Sequence, residues 1–306
     1  MNDRGARLLL TSLVGCALVA LAGGGCASMR KEKIVPESIA ACRQMSRDGV
    51  AAMEMGQWEQ ARSLLQEAVT TSPTDIDARR HLAEVLWQTG NRRDAVVHME
   101  AAVRLDPRHA PTIVRSGEML LAVGAVDRAL ERAQDAIALD ATLAGAWALR
   151  GRIYRQQGDA PRALADLQQA LRYNPHATDV LLTAAELQYG MGRPQRCLTT
   201  LHQLLDVYAP GEEPQRALWL EGLAYQAVDR PQDAVESLYA ASLRGAPQAD
   251  LLYQLAVAEQ AAGQVAAAAS TVRQALAVDT THQPSQVLLA QLQGVDSPGG
   301  GEVIRR

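Results

Sequence analysis

Small side chains recur along this chain at an interval of 34 residues, and no other feature restricts its possible folds as much. Ala61, Ala95, Ala129, Ala163 and Cys197 stand on that period, with Gly56, Gly90, Gly124, Gly158 and Gly192 five residues ahead of each. Ala68, Ala102, Ala136 and Ala170 follow the first four by seven residues. Pro73, Pro107 and Pro175 close three of the periods at a common offset. The phase slips by three residues across the segment Ala209 to Pro214, then resumes at Ala234 and Ala268.

Each period reads as two amphipathic helices. The glycine suits the end of the first, where a left-handed backbone is needed. The small residue five places later lets the second helix approach the first closely, and the next small residue faces the following unit. Proline ends the second helix and opens the turn. Composition agrees: hydrophobic residues are 48% and charged residues 21%, enough for a core. Aromatics are only 4%, with no Phe, so the core must be built from Ala, Leu and Val. One such unit cannot bury its apolar face alone, so stability requires stacking.

These units resemble tetratricopeptide repeats. The fullest copy has Trp147, Gly151, Tyr154, Gly158, Ala163, Leu167, Ala170 and Pro175, with Arg150 at a usual Leu. Other copies depart further: Ala141 stands where Pro is usual, Asp229 replaces the inter-helix Gly, and Gln188 and Glu259 replace the usual aromatic. The resemblance implies an all-α right-handed solenoid of helical hairpins, a superhelix whose concave side is lined by the first helices. Seven repeats are expected over residues 38–282, in units of about 42–75, 76–109, 110–143, 144–177, 178–211, 215–248 and 249–282. A closing helix is expected over 283–293, since a solenoid needs a solvated end, and a flexible tail over 294–306.

In the family, offsets 2, 5, 9, 12 and 13 of each unit point into the groove. Carried over, they give Arg80, Glu84 and Trp87, then Val114, Glu118 and Leu121, then Arg152 and Arg155. Leu182, Glu186 and Tyr189 follow, then Trp219 and Leu223, then Tyr253 and Val257. The resemblance therefore implies binding of a protein or peptide segment, with Trp87, Tyr189, Trp219 and Tyr253 as apolar anchors. Arg152 and Arg155, three residues apart, form a basic spot for a carboxylate. The competing reading of the same residues is that the aromatics pack between helices and the arginines pair with nearby acids. Trp147 and Tyr154 read as packing, and Trp58 as a packing or cap residue. The Lys and Asn pattern of the family's peptide-terminus clamp is missing.

The N-terminus reads separately. Arg4 and Arg7 precede a nearly all-apolar run from Leu8 to Ala22, the layout of a bacterial export signal. Two cysteines compete as a lipid-attachment site. Leu13-Val14-Gly15-Cys16 is closer to the lipobox in letters, while Cys26 fits better in layout, with the full apolar run behind it. Cys26 is the expected site and Cys16 the alternative, giving a signal or anchor over 1–26 and a linker over 27–37. A plain cleaved signal or a short uncleaved anchor is the bland alternative. Lipidation places the chain at the cell envelope, facing periplasm or exterior, and the absence of a retention-type Asp after Cys26 favours the outer membrane where two membranes exist.

Catalytic chemistry finds no foothold in the sequence. The six histidines form no HExxH set, no GxSxG or phosphate loop stands at a strand–helix junction, and no CxxC suggests a metal. Cys42 and Cys197 fall more than four units apart, beyond disulfide reach. Net charge is −4 and no basic block follows Lys33, which argues against nucleic acid as partner. The expected role is a non-enzymatic, cofactor-free envelope lipoprotein acting as a scaffold or assembly factor. An accessory role in envelope polysaccharide synthesis or export is the alternative, because groove aromatics also suit sugar stacking.

Overall fold

The computed structural model describes residues 37–295. The expected leader with Cys16 and Cys26, the linker as far as Pro36 and the tail from Asp296 lie outside the described residues. Within them the chain is helical throughout. The helices are α1 (Glu37–Glu54), α2 (Trp58–Thr71), α3 (Ile76–Gln88), α4 (Arg92–Leu105), α5 (Ala110–Ala122), α6 (Val126–Leu139), α7 (Ala144–Gln156) and α8 (Ala160–Tyr173). They continue as α9 (Thr178–Gly190), α10 (Pro194–Leu205), α11 (Gln215–Ala227), α12 (Pro231–Ser242), α13 (Ala249–Ala261), α14 (Val265–Val278) and α15 (Gln283–Val295). The first fourteen pair as seven hairpins, each packed on the next. The terminal helices overrun the sequence boundaries by one or two residues, since helix ends are set by fraying and not by the repeat.

The periodic residues do local work. Gly56, Gly90, Gly124, Gly158, Gly192 and Gly263 all have φ between +68° and +84°, so the chain can reverse after each first helix. Asp229 adopts the same conformation with φ 58° in the unit that lacks the glycine. Asp75 and Asp159 cap α3 and α8 by accepting from Ala78 and Arg162 N–H, and His109 does the same for α5 through Thr112 N–H.

Packing then follows from side-chain size. Ala61, Ala95, Ala129, Ala163, Cys197, Ala234 and Ala268 are all completely buried. Glycine on a first helix lets a leucine of the second lie directly against its backbone. A Cβ on Gly222 would fall 2.4 Å from Leu238 Cγ, and one on Gly151 3.0 Å from Leu167 Cγ. Large aliphatics such as Leu65, Leu82, Leu149, Leu201 and Leu238 fill the layers between. Cys42 and Cys197 are both buried and free, each within its own stretch of core.

Curvature is set by which helices touch. Successive first helices meet: α1 with α3, α5 with α7, α9 with α11, α11 with α13, and α13 with α15. Successive second helices make no comparable contact. The first helices therefore line the inside of the curve and the second helices fan out on the convex side.

Candidate functional site: the concave face

The inner face is organised by charge before it is organised by apolar surface. Arg115 on α5 holds Glu84 on α3 with two hydrogen bonds, Nε to Oε1 at 2.7 Å and Nη2 to Oε2 at 2.8 Å. The same guanidinium reaches Glu118 Oε2 at 3.2 Å, and Arg152 on α7 donates to Glu118 Oε1 at 2.8 Å. Carboxylate and guanidinium thus alternate across three first helices. The Glu84 hydrogen bonds raise the Arg115 pKa above its ordinary value despite partial burial. Arg80 is engaged locally by Asp77 at 3.2 Å.

A second charged group follows. Glu186 on α9 sits between Arg155 on α7, at 2.9 Å, and Arg216 on α11, at 2.5 Å. Arg152 and Arg155 therefore do not form the single carboxylate-binding spot expected from their spacing. They point to opposite neighbours, Arg152 back to α5 and Arg155 forward to α9, and each is already paired. A spacing of three places both on one side of a helix but says nothing of which adjacent helix offers an acid.

The aromatic residues divide by environment. Trp87 is half-buried beneath two guanidiniums, Arg92 at 5.4 Å and Arg115 at 5.8 Å from the ring centroid. Tyr253 meets the ring of His282 edge-on at 5.7 Å. His282 in turn joins Asp250 at 3.0 Å and Ser285 at 2.7 Å, so Tyr253 belongs to the docking of α15. Tyr189 and Trp219 instead line an open cleft of about 600 Å³ between α9 and α11, with Leu220, Leu223, Glu186 and Arg216. Gln248 donates to Gln215 Oε1 at 3.0 Å along its rim. Beneath, Tyr189, Trp219 and Leu220 rest on the core of the fifth to seventh hairpins. The Trp219 indole N–H is buried without an acceptor.

Apart from Leu223, which lines the cleft, the aliphatic groove positions serve as packing. Val114 is buried, and Leu121, Leu182 and Val257 lie against core layers. Trp147 and Tyr154 pack as well: the Trp147 indole donates to Ala141 O at 2.9 Å beneath Arg150, and Arg162 covers Tyr154 at 4.7 Å. Trp58 is 38% exposed at the first hairpin tip. A broader depression of about 750 Å³ between α1 and α3 is lined by Arg43, Arg47, Val50, Asp77 and His81. Burial there holds the His81 pKa below the ordinary histidine value, with Arg80 acting in the same direction.

Some residues central to this face were not singled out from sequence. Arg216 occupies offset 2 of its unit, a groove position beside Trp219 and Leu223. Arg115 occupies offset 6, outside the groove set, and reaches the face only through the length of its side chain. Polar pairs inside the hairpins leave no periodic signal in the sequence. Arg150 grips Asp166 at 2.7 and 2.9 Å, Thr200 donates to Gln188 at 2.9 Å, and Ser237 donates to Glu221 at 2.8 Å. Glu100 collects Ser116, Arg128 and Arg132. Among the described residues no cluster of His, Cys, Asp and Glu has metal-binding geometry, and no helix is long and apolar enough to cross a membrane.

Comparison with known proteins agrees with this architecture. The tetratricopeptide repeat family matches residues 52–111 and 154–218. The TPR repeat-containing protein YpiA of Bacillus subtilis is 24% identical over 212 residues, 59% of this chain and 50% of that protein. The chain thus spans about half the length of this curated relative. Among solved structures, YrrB, described as a TPR protein with an unusual peptide-binding site, superposes with a TM-score of 0.57 at 17% identity, covering 62% of this chain and 96% of that one. A tetratricopeptide repeat protein from Parabacteroides merdae gives 0.57 at 14% identity, covering 83% and 99%. Pseudomonas aeruginosa pilF gives 0.51 at 18%, covering 83% and 99%. At these identities the likeness is one of fold. The molecule is an all-α solenoid of tetratricopeptide type.

Proposed function

We propose, starting from the tetratricopeptide repeats detected in this chain, that it is a lipid-anchored scaffold of the bacterial cell envelope that grips a segment of a partner protein in its concave groove. Solenoids of this kind generally serve as protein-interaction scaffolds, because stacking leaves a long concave surface that no part of the chain covers. The observation that carries the reading here is the open cleft between α9 and α11, where Tyr189 and Trp219 present half-buried rings over about 600 Å³. Rigid aromatic side chains in a concavity are the usual anchors of protein recognition. YrrB, alike in fold, is described as having a peptide-binding site. The envelope location rests on the sequence of residues 1–26, with a diacylglycerol on Cys26 as tether.

Two experiments test this. Cross-linking in intact envelopes, followed by mass spectrometry, should capture a partner with the wild-type chain and lose it with Trp219→Ala, while circular dichroism stays helical. Unchanged capture by a folded variant contradicts the groove. Cys26→Ser should release the chain from membranes. If it stays bound while Cys16→Ser releases it, the tether is at Cys16, and if neither releases it, lipid anchoring fails.

A further inference from the structure

Glu186 stands out on the inner face because its charge environment is unbalanced. Upstream, Glu84 and Glu118 meet Arg115 and Arg152, two carboxylates to two guanidiniums. Glu186 alone faces both Arg155 and Arg216. One carboxylate thus serves two cations, and the surplus positive charge lies at the mouth of the Tyr189–Trp219 cleft, which Glu186 and Arg216 both line.

Exposure sharpens the point. The Glu186 side chain is 18% exposed, whereas Arg155 is 42% and Arg216 69% exposed. The carboxylate is held in place while both guanidiniums keep free donors toward solvent. Each has five N–H groups, and Glu186 takes only some of them. A carboxylate arriving from outside finds exposed donors on side chains that Glu186 already holds in place.

We infer that the α9–α11 cleft selects partner segments that carry an acidic residue beside large aliphatic residues. The aliphatic side chain enters between Tyr189, Trp219 and Leu223, and the acid pairs with Arg216 and Arg155. Glu186 is the internal competitor: it occupies the guanidiniums in the free protein and sets the strength of acid binding. This rests on the groove reading above and adds the chemistry of the partner.

The test uses the purified full-length chain and fluorescein-labelled nine-residue peptides read by fluorescence anisotropy. One has the sequence Ser-Gly-Ser-Glu-Leu-Leu-Ser-Gly-Ser, the second carries Lys in place of Glu, and the third carries Ser in place of both leucines. The acidic peptide should bind up to about fivefold more tightly than the lysine peptide at low salt, the upper end for one exposed ion pair. Arg216→Glu should abolish that preference, and Glu186→Gln should increase it. Both positions lie outside the apolar core, and circular dichroism of each variant checks that it is folded. Equal binding of the acidic and lysine peptides, or a preference that survives Arg216→Glu, overturns the acid selection. If the leucine peptides still bind better than the serine peptide and Trp219→Ala abolishes this, the groove reading itself stands. If Trp219→Ala changes nothing for any peptide, or no peptide binds, both fail.

Discussion

At the scale of single residues, the repeat works through what a side chain is not allowed to be. Gly222 has no room for a methyl group against Leu238, whereas Asp229 occupies a left-handed conformation that costs an L-residue energy. Gly222→Ala is expected to lower unfolding stability by about 1–3 kcal/mol through overpacking. Asp229→Gly should raise it by about 0.5 kcal/mol by removing backbone strain. Urea titration of both variants checks the two signs. Buried acids make a second pair of opposites. Burial pushes the Glu100 carboxyl up, but hydrogen bonds from Arg132 and Ser116 outweigh it and hold it at about 2, below the usual 4.5. Its contribution to stability is therefore complete above the unfolded pKa and is lost as pH falls toward 2. Glu100→Gln should flatten the loss of stability between pH 4.5 and 2 by about 1–2 kcal/mol, measured by denaturant titration across that range. Glu259 behaves the other way. Burial raises its pKa, with a hydrogen bond from Thr271 only partly opposing, and its Oε2 is sealed off without a partner. A raised carboxyl pKa means stability present below the unfolded pKa and lost as pH rises through the folded one. Glu259→Gln should therefore stabilise the fold by about 1 kcal/mol at pH 7 and make little difference at pH 4.

At the scale of helices, the sequence was legible where one side chain type is required and opaque where partnership decides. Small residues and glycines on a fixed period marked hairpins, turns and the inner and outer helices, because each answers to a local steric demand. The charged groups of the inner face were not readable in the same way. Offset puts Glu84, Glu118 and Arg152 on it, but the pairing of Glu84 and Glu118 depends on Arg115, which sits between groove positions and bridges α3 and α5. The slip between Ala209 and Pro214 was visible as a change of phase. That the first helices of the hairpins on either side, α9 and α11, frame a cleft is not visible, since a phase measures spacing along the chain and not separation in space. The closing helix belongs to this scale too. Leu288 and Leu292 of α15 cover Ala256, Ala268 and Val272, and His282 ties the start of α15 to Asp250. Truncation after residue 282 leaves that layer facing water. It should make α13 and α14 the first to unfold, seen as loss of amide protection confined to residues 249–278 in hydrogen exchange.

At the scale of the whole molecule, each hairpin contacts only its neighbours, so the chain has a length and a curvature in place of a single centre. The central claim is that small residues recurring every 34 positions build this ribbon. Small-angle X-ray scattering of residues 37–295 in solution tests it most directly. A compact body of that length has a radius of gyration of about 18 Å. Eight layers stacked about 8–10 Å apart predict a clearly larger value and an asymmetric distance distribution with a long tail. A radius at the compact value with a symmetric distribution would contradict the account.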